Sequence, residues 1–163
     1  MLVPLAGLAT TLVPHTLADR AREADRVALV QVIARQTVAE GNDPRRIKTY
    51  TELAVGEDLK GTGPRTVTLV QLGGTWGAYT QQLPGDADFA LGETALVFLK
   101  CNGTRCFLVA LGEGKIQISG DQAFVHDLFT HRWARRPVAD LMAELRTVAP
   151  APLPIAPRPV VAP

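Results

Sequence analysis

Through the middle of this chain, short β-rich runs alternate with turn residues, and no long amphipathic helix separates one run from the next. That pattern constrains the fold more than any other feature. Parallel α/β sheets need a helical crossover between strands, whereas short strands joined by turns build antiparallel sandwiches and barrels. The runs fall at residues 27–34, 47–55, 66–72, 78–83, 95–100, 107–111, 115–119 and 123–125. Gly61-Thr-Gly-Pro64, Gly73-Gly74, Pro84-Gly85 and Asn102-Gly103 punctuate them, because glycine reaches positive φ and proline cannot continue a ladder. In the first run Val27, Leu29, Gln31 and Ile33 interleave with Ala28, Val30, Val32 and Ala34, so both faces are largely apolar and a central strand is expected. In the second, Ile47, Thr49, Thr51, Leu53 and Val55 share one face.

Helical signals flank the β region. Thr16 is a candidate N-cap for a short helix over 16–24, and Pro137 precedes a stripe of Val138, Leu141, Met142 and Leu145. The expected fold is therefore mainly β: a small closed or partly open antiparallel barrel, OB-like, with a short N-terminal helix and a C-terminal helix. Barrel closure removes exposed strand edges.

Three segments divide the chain. Residues 1–9 are apolar and end in small residues, as the tail of a truncated signal peptide does; the other reading is an ordinary apolar arm. Residues 10–148 form a single β-barrel domain. Residues 149–163 hold six prolines and no periodicity, which reads as a Pro-rich flexible tail. No stretch has the roughly 18 consecutive apolar residues of a membrane span. A net charge of +1 leaves no basic footprint for nucleic acid. Arg outnumbers Lys and Ala, Val, Pro and Gly are abundant, a composition suited to a GC-rich bacterial source.

Two cysteines, Cys101 and Cys106, stand at the ends of one hairpin. Facing positions of a non-hydrogen-bonded pair bring Cα atoms to about 4.5 Å, within disulfide range. A disulfide is favoured; reduced structural thiols and a reactive or metal-binding pair are the alternatives, the last lacking the usual spacing and further ligands. A disulfide places the chain in a secreted, periplasmic or cell-surface setting.

Nothing in the sequence organises a catalytic centre. Ser119 is the only serine, and its neighbours Asp121, His126 and Asp127 lie outside any nucleophile-elbow pattern. His126 and His131 are five apart, with no third metal ligand close in sequence, so metal-dependent chemistry there is the weakest reading. Gly112-Glu-Gly-Lys115 lacks phosphate-loop spacing, and no cofactor is indicated. Candidate contact residues are aromatic and basic instead. Trp76 and Tyr79 sit among Gly73, Gly74 and Gly77, either as a recognition loop or as a barrel-end plug; Trp133, Arg135 and Arg136 form a second candidate surface, otherwise a basic approach to the helix.

The stretch from Thr16 to Asp25 leading into Val27 resembles the opening of many uncharacterised exported bacterial proteins. Thr49 to Gly61, followed by Phe89 to Leu99, is similar to the strand-then-Lys-Gly and Gly-before-Leu-Phe pattern of netrin-like modules and tissue inhibitors of metalloproteinases. That resemblance covers about residues 27–119 and implies an OB-like barrel. It does not carry the inhibitors' mechanism, because they bind the catalytic metal through an N-terminal cysteine and no cysteine precedes Cys101 here. The expected function is an exported, non-catalytic module binding an unknown protein or cell-surface component, with a netrin-like protease-inhibitor relative as the runner-up.

Overall fold

The computed structural model describes residues 15–127 and 130–148, so the readings of residues 1–9 and 149–163 lie outside the described residues. The elements run α1 (Leu17–Glu23), β1 (Arg26–Ala39), β2 (Ile47–Lys60), β3 (Thr66–Trp76), β4 (Tyr79–Gln82), β5 (Thr94–Asn102), β6 (Arg105–Leu108), β7 (Lys115–Ser119), β8 (Gln122–Asp127), β9 (Arg132–Pro137) and α2 (Val138–Val148). The protein is mainly β, and its strands join in one sheet.

Five strands close on themselves. β1 pairs with β2, β2 with β3, β3 with β6, β6 with β5, and β5 returns to β1. All contacts in this ring are antiparallel except β3–β6. That parallel contact rests on two facing pairs, Thr68 with Arg105 and Leu69 with Cys106, and on a 2.8 Å bond from the Thr68 amide to the Thr104 carbonyl. One edge of β5 carries β6 along one half and β7 along the other. Between them a 3₁₀ turn at Leu111–Gly114 lets the chain leave the ring, and β7, β8 and β9 continue the sheet outward.

This geometry gives β5 two buried faces. Ala95, Val97 and Leu99 point into the ring with Val30, Leu53, Leu69 and Cys106. Leu96 and Phe98 point the other way, beneath Ala21 of α1 and Leu141 and Leu145 of α2. Burying a side chain of this size contributes about 1.5–3 kcal/mol, so β5 is the shared wall of both cores. Phe89, on the connection from β4 to β5, is wholly buried inside the ring.

The helices are fixed by polar contacts that their sequences specify. Thr16 and Asp19 form a reciprocal capping box, and the Thr16 hydrogen bonds hold the Asp19 carboxyl below its ordinary value. At the other end of α1, Lys60 donates to the carbonyls of Ala21, Arg22 and Ala24, which a cation does well at a helix C-terminus. Arg26 is nearly buried and grips Asp58 through Nε and Nη2 at 2.6 and 3.1 Å, beside the irregular register where Val27 faces Lys60 and Ala28 faces Asp58.

Several expectations need correction. Gly73-Gly74 does not end a strand: β3 runs on to Trp76, pairing with β2 only as far as Leu72 and with β4 from Gly73. β1 and β2 extend well past residues 34 and 55, because polar and small residues continue a ladder when their partners are long. β6 begins at Arg105 and ends at Leu108, and Leu111 belongs to the 3₁₀ turn. The hairpin turn is Gly103-Thr104, with Gly103 at φ +64° and Asn102 still in β5. Residues 132–136, read as a basic approach to a helix, are most of β9. Ile33 is exposed rather than covered, since the register skips it between Val32 and Ala34.

The glycine pair turns β3 out of the ring. Gly74 has φ +126°, and a Cβ there would lie 2.4 Å from Thr49 Oγ1 and 2.8 Å from Thr37 Cγ2. Thr37 and Thr49 share a 2.9 Å hydroxyl contact, and Thr49 donates to the Gly73 carbonyl at 2.8 Å. Gly74→Ala is expected to destabilise the fold by about 2 kcal/mol or more, from backbone strain and that clash. Gly77→Ala should cost about 1 kcal/mol, because its φ of +58° is strained but nothing lies within 4 Å. Urea unfolding of the two variants measures the difference, and equal costs would contradict the packing role of Gly74.

Candidate functional site

Beyond Gly74 the β3–β4 hairpin pairs with no other strand and stands as an arm on the ring. Its turn is Gly77-Ala78, which places Trp76 directly opposite Tyr79. The two rings stack with centroids 6.4 Å apart and planes 22° from parallel. Tyr79 is 54% exposed and Trp76 half-buried, and neither belongs to either core. Thr75 and Thr80 hydrogen-bond at 3.0 Å, on the face opposite the rings. Phe89, rather than Trp76, is the aromatic that is wholly buried in the ring core.

At the base of the arm a polar cleft of about 320 Å³ is lined by Arg35, Thr49, Gln71, Thr75, Thr80 and Asp88, among others. Arg35 is held by Asp88 at 3.1 Å and by the Phe89 carbonyl at 2.9 Å. Gln71 donates to the Ala87 carbonyl at 2.7 Å. The cleft is thus built from groups already engaged with one another.

The second candidate surface lies on the outermost hairpin. Trp133 of β9 is 70% exposed and faces His126 of β8, their ring centres 4.8 Å apart. His131 stands 6.5 Å from His126, at φ +53°. Arg135 lies over the Phe124 ring at 5.5 Å, and Arg136 pairs with Glu144 of α2. The three sequence-selected residues of this surface therefore share one strand, but Arg136 faces inward to a partner and only Trp133 and Arg135 are exposed. Among the described residues, no three His, Cys, Asp or Glu side chains come together as a metal site. Ser119 faces Gln122 across the β7–β8 turn. Gly112 and Gly114 serve packing: a Cβ on Gly112 would meet the Gly85 carbonyl at 2.6 Å, and one on Gly114 the Val109 carbonyl at 2.3 Å.

No protein-family model matches this sequence, and no curated protein matches it. No helix among the described residues is long and apolar enough to cross a membrane.

Cys101 and Cys106 form a disulfide, with Cα atoms 4.1 Å apart at directly facing positions of β5 and β6. Cys106 is wholly buried in the ring and also faces Leu69 of β3, so the bond joins two strands of the closure. With a sequence separation of 5, the chain-entropy contribution is about 2 kcal/mol. Thiol counting on denatured, unreduced protein should find no free thiol, and Cys101→Ala with Cys106→Ala should lower unfolding free energy by about that amount. Two free thiols per chain in the native protein would contradict the bond.

Proposed function

We propose that this chain is an exported, non-catalytic interaction module built on an OB-like barrel, and that it binds a protein or cell-surface component through the tip of the β3–β4 arm. The barrel reading is supported by the closed path of five strands with one parallel contact, an arrangement compatible with a small, partly open Greek-key barrel. Export is supported by the disulfide, since such bonds persist in oxidising compartments.

One observation carries the choice of surface: the Trp76–Tyr79 pair is stacked across a hairpin, outside both cores, with Tyr79 exposed to solvent. Tyr and Trp supply large contact areas at low conformational cost, and they dominate interface hot spots. A cross-strand stack removes much of the ring freedom that binding would otherwise have to freeze. Trp133 and Arg135 on β9 form a second exposed surface of similar chemistry.

Capture from an envelope extract of the source cells, compared for wild type and Trp76→Ala, tests the reading. Trp76→Ala should weaken the captured partner by about 2 kcal/mol, close to thirtyfold. His126→Ala and His131→Ala should leave capture unchanged. Stability of Trp76→Ala should fall by less than about 1 kcal/mol; a loss of about 3 kcal/mol, as for a buried aromatic, contradicts the recognition role. Inhibition of a metalloprotease that survives Trp76→Ala would favour the inhibitor reading instead.

A further inference from the structure

Arg20 is a buried cation with no carboxylate partner. It projects from α1 at 5% exposure. Its Nη1 donates to the Glu113 carbonyl, Nε to the Thr16 carbonyl at 3.4 Å, and its guanidinium carbon stands 5.5 Å from the centre of the Phe98 ring. Among the described residues it makes no ion pair, and Nη2 makes no hydrogen bond. The Glu113 carbonyl anchors α1 on the 3₁₀ turn, while the Thr16 carbonyl belongs to the N-cap of α1 itself, and the buried positive charge has no carboxylate within ion-pair distance, which is unusual. Burial pushes the guanidinium below its ordinary value, and the Glu113 carboxylate opposes this only from beyond ion-pair distance. That carboxylate instead accepts from the His15 amide at 3.4 Å.

Arg20 opens onto space. With His126 it is shared by two adjoining pockets, of about 280 and 410 Å³. The first has apolar walls of Ala110, Leu111 and Ile116, with the Trp133 indole at its rim. Its other cation, Lys115, is already paired with Glu93 at 2.6 Å. The second pocket is more acidic, since Asp127 and Glu144 line it. Glu113 also lines the first pocket, its carboxylate engaged by the His15 amide, so Arg20 and Lys115 leave the lining with a net positive charge. A largely apolar pocket with a few charged groups in its wall is the usual form of a site for a small organic ion, and the free Nη2 offers a charge-assisted donor to a carboxylate.

We propose that the pocket between the 3₁₀ turn and the β8–β9 hairpin binds a small aromatic carboxylate, its anionic group on Arg20 and its ring between Leu111, Ile116 and the Trp133 indole. This site is separate from the arm, so it stands or falls independently of the partner reading.

The test is an NMR titration of the full chain with sodium benzoate and, in parallel, with neutral benzyl alcohol, following the indole Nε1–H signals of Trp133 and Trp76. Benzoate should shift Trp133 saturably and leave Trp76 unmoved. Benzyl alcohol should bind at least about tenfold more weakly, the loss of one charge-assisted hydrogen bond. Arg20→Gln should abolish the preference for benzoate. Should Arg20→Gln fail to fold, Trp133→Ala decides, followed through the backbone amide signals of Leu111 and Ile116 in place of the lost indole: its exposed position leaves the fold intact while benzoate affinity drops by about tenfold, the scale of a lost aromatic contact. Equal affinity for the two probes, an unshifted Trp133, or benzoate binding unchanged in Trp133→Ala would each overturn the proposal.

Discussion

The ring closes through a strand of four residues, and most of the molecule depends on that closure. β6 has only Arg105–Leu108 to hold β5 on one side and β3 on the other. A parallel contact of two facing pairs is weak by itself, since parallel pairing is slightly less stable per residue than antiparallel. Two features compensate. The Gly103-Thr104 turn delivers β6 directly from β5, and the disulfide fixes Cys106, one of the two residues that face β3. Cys106 is wholly buried among Leu69, Val97 and Leu99, so the crosslink also sits in the ring core.

Closure sets what the rest of the chain can do. With the ring sealed, β5 serves as a wall between two cores, and the apolar surface of α1 and α2 has a firm face to cover. Segments that leave the ring are then free to carry exposed aromatics. The arm leaves at Gly73-Gly74, where close approach of Thr37 and Thr49 admits no side chain. The outer hairpin leaves at the 3₁₀ turn, where Gly112 and Gly114 admit none either. Both exits carry a tryptophan beyond the glycines, Trp76 on the arm and Trp133 on β9. At the second exit the departing sheet spans a pocket over Arg20, a cation that the helical core alone does not neutralise.

Much of this architecture was legible from local pattern. Period-two alternation in 47–55 located the buried face of β2, because Ile47, Thr49, Leu53 and Val55 all point inward. Cys101 and Cys106 announced a facing pair through their symmetric placement about a short turn. The arm was misread because Gly-Gly signals a break only when no partner strand follows, and β4 is too polar, Tyr-Thr-Gln-Gln, to register strongly. β9 was missed for a similar reason: Arg-Trp-Ala-Arg-Arg-Pro carries no alternation, and its pairing to β8 is a tertiary fact. Arg20 falls at helical spacing with Leu17, Ala21 and Ala24, but that spacing does not by itself mark a buried charge. An arginine in a short amphipathic helix is ordinarily solvated, and only the packing of the 3₁₀ turn and Phe98 over it produces burial.

The central claim is that the disulfide holds the closing strand, and amide hydrogen exchange reads this directly. In the protein lacking both cysteines (Cys101→Ala with Cys106→Ala), the amide of Thr68, which bonds to the Thr104 carbonyl, should exchange much faster than in wild type. Amides in the β1–β2 ladder should stay protected, because the opening is local rather than global. Unchanged protection at Thr68, or equal loss of protection across β1, β2 and β3, would contradict the dependence of ring closure on the Cys101–Cys106 bond.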